Sequence, residues 1–260
     1  MKLFVLGDVV SRVGLEAVER CLPALKRKYR PDCIIINGEN SAIGNGIDRL
    51  SAERLFHAGA DCITGGNHSF QRKEAGELHE EMPALLRPAN WSGDPFGKGE
   101  YRMDMGAYDL RVISLQGTLY MNKCENPFTT LEKMLEEGGP RDLTIVDFHA
   151  EATAEKQAMG WHFDGRVALV FGTHTHVQTN DARILPKGTG YLSDVGMCGS
   201  RDSILGKGLE PCIHNFIDPE NRMKITDGEP PCIINGLLAD LDEKAKKCRS
   251  LELINIQETD

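Results

Sequence analysis

The segment Gly172–Thr179, GTHTHVQT, places two imidazoles two residues apart directly after the apolar run VALVF. In extended backbone, residues i and i+2 project from one face, so His174 and His176 can point into one site and share or flank a metal. Four other apolar runs end in comparable side chains: KLFVLG at Asp8, CIIING at Glu39-Asn40, CITGG at Asn67-His68 and LTIVDF at His149. Glycines precede most of these groups by one or two residues and permit tight turns or close backbone approach. Carboxylate and amide oxygens suit manganese and other hard ions, and imidazole accommodates iron, zinc and their relatives. So mixed a set suits two divalent ions better than one, with Glu39 best placed to bridge them.

Side chains this far apart in sequence can meet only if a sheet positions them. KLFVLGD, GLEAVERCLPALKRKY, DCIIING, LSAERLFHAG, DCIT and KEAGELHEEM alternate strand and helix, the pattern of a layered α/β protein. LRVISLQ, LTIVDF and VALVFG predict further strands, FTTLEKMLEEG and AEKQAMG helices between them, and PCIINGLLADLD and SLELINI antiparallel strands. Open α/β sheets bind ligands at the carboxyl ends of their strands, which is where the five endings lie. PANWSGDPFGKGE and LPKGTG read as loops too short to separate domains, so one domain over residues 1–260 is expected. The stretch 197–230 reads as irregular, an insertion or cap near the site.

The chain has 260 residues and a formal net charge of −9, which argues against holding a long nucleic-acid duplex on a basic surface. Its eight cysteines are scattered without a CxxC pair, and several lie in apolar runs. With no signal-peptide pattern and no apolar run of membrane-spanning length, a reducing cytoplasm is expected. His57, His79, His162 and His214 read as surface or packing residues. Asp147 reads as support for His149 rather than as a ligand. Arg87 and Lys187 fit a surface role at least as well as a phosphate contact.

The segments GDVV (7–10), NGEN (37–40), GGNH (65–68), DFHAEAT (147–153) and GTHTHVQT (172–179) resemble the calcineurin-like metallophosphoesterases. They are more closely similar to the YmdB-like branch of cyclic-nucleotide phosphodiesterases, and RPAN, LQG, ILPKGT and DVGM extend the likeness through most of the chain. The resemblance implies a four-layer α/β/β/α sandwich and two metal ions, of iron, manganese or zinc. It assigns Asp8, Glu39 and His176, helped by Asn40, to one ion and Glu39, Asn67, His149 and His174 to the other. His68 is then the catalytic imidazole that binds no metal. The usual Asp-x-His of the superfamily is here Asp8-Val9-Val10, and Glu39 stands where a bridging Asp is common. The implied substrate is a small phosphodiester such as a 2′,3′- or 3′,5′-cyclic nucleotide. A phosphomonoesterase or nuclease with the same metals, or a metal-dependent nucleotide- or RNA-binding regulator, remains open, as does a homo-oligomer.

Overall fold

The structure, a computed structural model, describes residues 1–93 and 95–258. Alternation along the first strand sets the layering. In β1 (Lys2–Leu6), Phe4 and Leu6 pack with Leu15, Val18 and Leu22 of α1 (Ser11–Tyr29) and Leu55 of α2 (Arg49–Ala58). Leu3 and Val5 instead join Val112 of β6 (Asp109–Gln116), Ile145 of β7 (Asp142–His149) and Phe171 of β8 (Leu169–Thr173). On the far side of those strands, Ile113, Val146 and Val170 pack with Leu131 of α4 (Pro127–Glu136) and Met159 of α5 (Thr153–His162). Three apolar layers therefore separate helix, sheet, sheet and helix, the four-layer α/β/β/α sandwich.

In the first sheet β1 lies parallel to β3 (Cys33–Asn37), and β3 to β4 (Cys62–Thr64). β12 (Cys232–Asp242) runs antiparallel to them with β13 (Lys247–Gln257) along one edge. Its other edge is shared lengthwise: Ile234 opposes Cys198 of β11 (Met197–Ser200), and Leu238 opposes Phe4. β2 (Asp8–Val9) transfers to β11 at Gly7, where a Cβ would stand 2.0 Å from the Gly196 carbonyl oxygen. The second sheet runs β5 (Glu100–Asp104), β6, β7, β8, β10 (Gly190–Leu192), β9 (Arg183–Ile184), with β6, β7, β8 and β10 parallel.

Two elements differ from the sequence pattern. Residues 197–230 are not irregular from their start, because β11 is buried within the first sheet and α6 (Leu209–Ile217) follows. A four-residue strand is too short for alternation to reveal it. α3 (Ala75–Glu81) is shorter than its amphipathic pattern, ending before Met82, whose following Pro83 disfavours helical backbone. No described helix is long and apolar enough to cross a membrane, and all eight cysteines are free, six of them buried.

Candidate metal centre

The five strand ends deliver their side chains to one rim between the sheets. Asp8 opens β2, Glu39-Asn40 follow β3, Asn67-His68 follow β4, His149 ends β7, and His174 and His176 follow β8. His149 Nε2 is crowded by three polar atoms. Asn67 Oδ1 lies 3.0 Å from it, His174 Nδ1 3.1 Å and Glu39 Oε1 3.2 Å. One ring nitrogen carries at most one proton, so these atoms compete for a single donor that a cation would replace. Ligating atoms of Glu39, His149 and His174 all lie within 4.8 Å of one another.

Asp8 closes the other side. Its Oδ2 accepts the His174 backbone N–H at 3.1 Å. Its buried Oδ1 has no hydrogen-bond partner among the described residues and stands 3.7 Å from His176 Nε2 and 3.8 Å from His149 Nδ1. An unserved buried carboxylate oxygen costs its full desolvation penalty, which a bound cation removes. The residues present thus fit a divalent metal group. Asn40 donates its amide N–H to Glu39 Oε1 at 2.9 Å and lies 3.4 Å from His176 Nε2, so ligation through its oxygen requires the amide to turn. His68 sits at the rim with its Nδ1 3.2 Å from Glu39 Oε1, and its backbone N–H donates to Glu39 Oε2 at 2.9 Å. A Cβ at Gly66 would come within 2.2 Å of Glu39 Oε2 and 2.3 Å of the His149 ring, which excludes larger residues there.

The support beneath this layer was only partly visible in sequence. His149 Nδ1 lies 2.9 Å from the Thr173 hydroxyl, which donates to Asp147 Oδ1 at 2.7 Å. Asp147 Oδ2 accepts from the Thr64 hydroxyl and, at 3.1 Å, from Asn37 Nδ2. Asp147 therefore supports His149, as its spacing predicts; Thr64, Asn37 and Thr173 carried no local signal. The extended reading of His174 and His176 is wrong, because β8 stops at Thr173 and both histidines adopt left-handed φ, 97° and 64°. Such backbone costs non-glycine residues roughly 1–2 kcal/mol each. Thr175 holds the turn by donating its N–H (3.1 Å) and hydroxyl (2.7 Å) to Asp194 Oδ2, which also pairs with buried Lys156 Nζ at 2.7 Å. His176 Nδ1 lies 3.1 Å from the Leu205 carbonyl oxygen, directing Nε2 toward Asp8, and His174 Nε2 lies 3.1 Å from Glu151.

Electrostatics match this geometry. Burial works against charge on His149, but Glu39, Asp8 and Asp147 outweigh it and lift its pKa to about 9. Burial would raise Glu39, yet His149 and His68 hold it well below the usual carboxylate range. Burial, then the neighbouring His149, push His174 down to about 3. Burial also raises Asp8 against the pull of His176 and His149, and lifts Asp147 to about 6. An imidazolium at His149 facing an ionised Glu39 is thus a charge pattern that a cation would take over.

The other histidines lie elsewhere in the roles expected of them. His79 is buried with Nδ1 3.2 Å from the Leu85 carbonyl oxygen, and His162 pairs with Glu132 at 2.8 Å. Arg87 donates to the Pro88 and Ala89 carbonyls. Trp91 packs edge-on against Phe70.

Residues 3–254 match the family described as YmdB-like protein. A Bacillus subtilis (strain 168) protein named 2′,3′-cyclic-nucleotide 2′-phosphodiesterase is 42% identical, over 99% of this chain and 98% of its own. A crystal structure of a novel phosphatase from Mycoplasma pneumoniae superposes with a TM-score of 0.93 at 36% identity, covering 100% of this chain and 94% of that one. A crystal structure of a hypothetical protein from Thermus thermophilus superposes at 0.92 with 36% identity, covering 100% of both chains.

Proposed function

The chain belongs to the YmdB-like family, and from that premise we propose that it is a phosphoric diester hydrolase. It acts on small phosphodiesters, 2′,3′- or 3′,5′-cyclic nucleotides among them, with two divalent ions of iron, manganese or zinc. The observation that carries this reading is the convergence of Asn67, Glu39 and His174 on His149 Nε2 at 3.0–3.2 Å, beside the unserved Oδ1 of Asp8. Glu39, Asn67, His149 and His174 would hold one ion, and Asp8, Glu39, Asn40 and His176 the other.

When bound, paired divalent ions supply Lewis-acid activation of the phosphoryl group and of the attacking water. The chain's own residues do the rest. Glu39 accepts from His68 at both the backbone N–H and Nδ1, so the imidazolium form of His68 would carry its second proton on Nε2 and pass it to the leaving alkoxide, ending as the neutral Nδ1–H ring. Thr173 fixes the His149 ring through Nδ1, and the Leu205 carbonyl does the same for His176, so the opposite nitrogens face the ligand positions.

The test is hydrolysis of bis-p-nitrophenyl phosphate, p-nitrophenyl phosphate and the cyclic AMP isomers by metal-stripped and metal-reconstituted protein. Diester cleavage that returns with metal is expected, and His68→Ala should lower kcat by about 10²–10⁴-fold with metal content retained. Preferential monoester cleavage would make the protein a phosphomonoesterase, and nucleotide binding without turnover would make it a regulator.

A further inference from the structure

A groove is lined by residues that follow, within two or three positions, the contacts of His176. Ile43, Gly44 and Asn45 form one wall, Lys207 with Lys224–Asp227 the other, and together they enclose a cavity of about 700 Å³. Both walls leave from residues that contact His176. Asn40, 3.4 Å from His176 Nε2, precedes Ile43 by three residues; Leu205, whose carbonyl meets Nδ1, precedes Lys207 by two. At no more than ~3.6 Å per residue, the walls begin within about 11 Å of Asn40 and about 7 Å of Leu205.

The groove is preformed. Arg72 donates from Nε to the Asn45 carbonyl at 2.9 Å and from Nη2 to the Ile43 carbonyl, fixing the first wall. On the second, the Gly208 N–H donates to the Thr226 carbonyl at 2.9 Å, and Lys207 pairs with Asp227 at 2.8 Å. Two exposed aliphatic residues line it, Ile43 at 67% exposure and Ile225 at 52%. Among the described residues no carboxylate pairs with Lys224, which leaves the groove one uncompensated cation.

A cyclic mononucleotide has a single phosphate, and the metal centre claims it. The groove is within the ~300–1,000 Å³ range of pockets that enclose a whole small ligand, and it offers an apolar slot and a second phosphate contact besides. We propose that the substrate is a short oligonucleotide, with the scissile diester at the metal centre and the adjoining nucleotide in this groove. The base of that nucleotide lies against Ile43 and Ile225, and its phosphate meets Lys224. The net charge of −9 favours a short ligand over a long polyanion, since each added phosphate adds repulsion from the chain as a whole. This inference rests on the diesterase reading above.

The experiment compares three substrates on metal-reconstituted wild type, Lys224→Glu and Ile225→Asp. They are a diribonucleotide ending in a 2′,3′-cyclic phosphate, the matching cyclic mononucleotide, and bis-p-nitrophenyl phosphate. Wild type should favour the dinucleotide over the mononucleotide about tenfold in kcat/KM, and either substitution should erase that ratio through KM. Equal kcat/KM for the two in wild type, or a ratio untouched by both variants, overturns the proposal. Should none of the esters turn over, the diesterase reading falls and calorimetric binding of the dinucleotide decides the groove. Binding weakened about tenfold by Lys224→Glu supports it, and absent or unaltered binding overturns it.

Discussion

The β6–β7 pair handles charge in opposite ways at its two ends. At the amino end, where Asp109 opposes Asp142, carboxylates meet guanidinium groups. Arg111 Nε donates to Glu100 at 2.8 Å, Arg102 reaches Asp142 at 3.4 Å, and Arg141 reaches Asp104 and Asp109 at 3.1 and 3.2 Å. At the carboxyl end, beyond Gln116 and His149, Asp8 and Glu39 are enclosed by imidazoles and amides, and no Lys or Arg among the described residues pairs with them. Each end buries one atom without a hydrogen bond, but Arg111 Nη1 faces the Asp142 carboxylate at 3.6 Å, whereas Asp8 Oδ1 faces only the imidazoles of His176 and His149 at 3.7 and 3.8 Å. At the amino end fixed guanidinium charges balance the carboxylates, whereas at the carboxyl end the carboxylates meet only titratable imidazoles and amides, an arrangement that suits added cations.

The contrast can be broken most severely at Glu39. Glu39→Gln should lower kcat for diester hydrolysis by at least about 10²–10³-fold and abolish the rise in Tm that divalent metal gives wild type, read by a thermal-shift titration. A variant that still binds metal and turns over would remove Glu39 from the centre.

Asp194→Asn comes next. It weakens the anchor of Thr175 between the two left-handed histidines and leaves Lys156 without its counter-ion. Metal affinity should fall about 10–100-fold by titration. Unchanged affinity would mean that the turn holds itself.

The complementary change at the amino end is Arg111→Met. Losing a buried partner should lower unfolding free energy by about 3–5 kcal/mol in denaturant titrations, with kcat and metal affinity at wild-type values. Coupled loss of activity would show that the two ends communicate along the strands.

The smallest effect separates a packing histidine from those of the centre. Burial lowers the His79 pKa, so the folded state binds fewer protons there than the unfolded state once pH drops below about 6.5. Stability should therefore fall as pH falls through the unfolded value, and His79→Phe should flatten that part of the Tm profile without altering metal affinity. A profile unchanged by the substitution would reassign the acid sensitivity to another group.

Much of this was legible in sequence. The apolar runs of β1, β3, β4, β6, β7 and β8 and the periodicity of α1, α2, α4 and α5 are local patterns, so they announce themselves. β5 and β11 did not, since EYRMD is a polar edge strand and MCGS is too short to show alternation. Asp147 was readable from its two-residue distance to His149. Asp194 and Lys156 were not readable as a pair, because they lie 38 residues apart and act on a third element.

By itself the sequence determined the chemistry on offer: which strands end in carboxylate, amide or imidazole. Those are properties of residue type and short-range pattern. Only the tertiary structure decided where that chemistry converges. Asn67 and His149 are 82 residues apart, and Asp8 and His174 are 166, so their meeting depends on two sheets packing with their carboxyl ends at one rim. It also decided the backbone of His174 and His176, where contacts to Asp8, Asp194 and Leu205 overrode the local preference for extended chain.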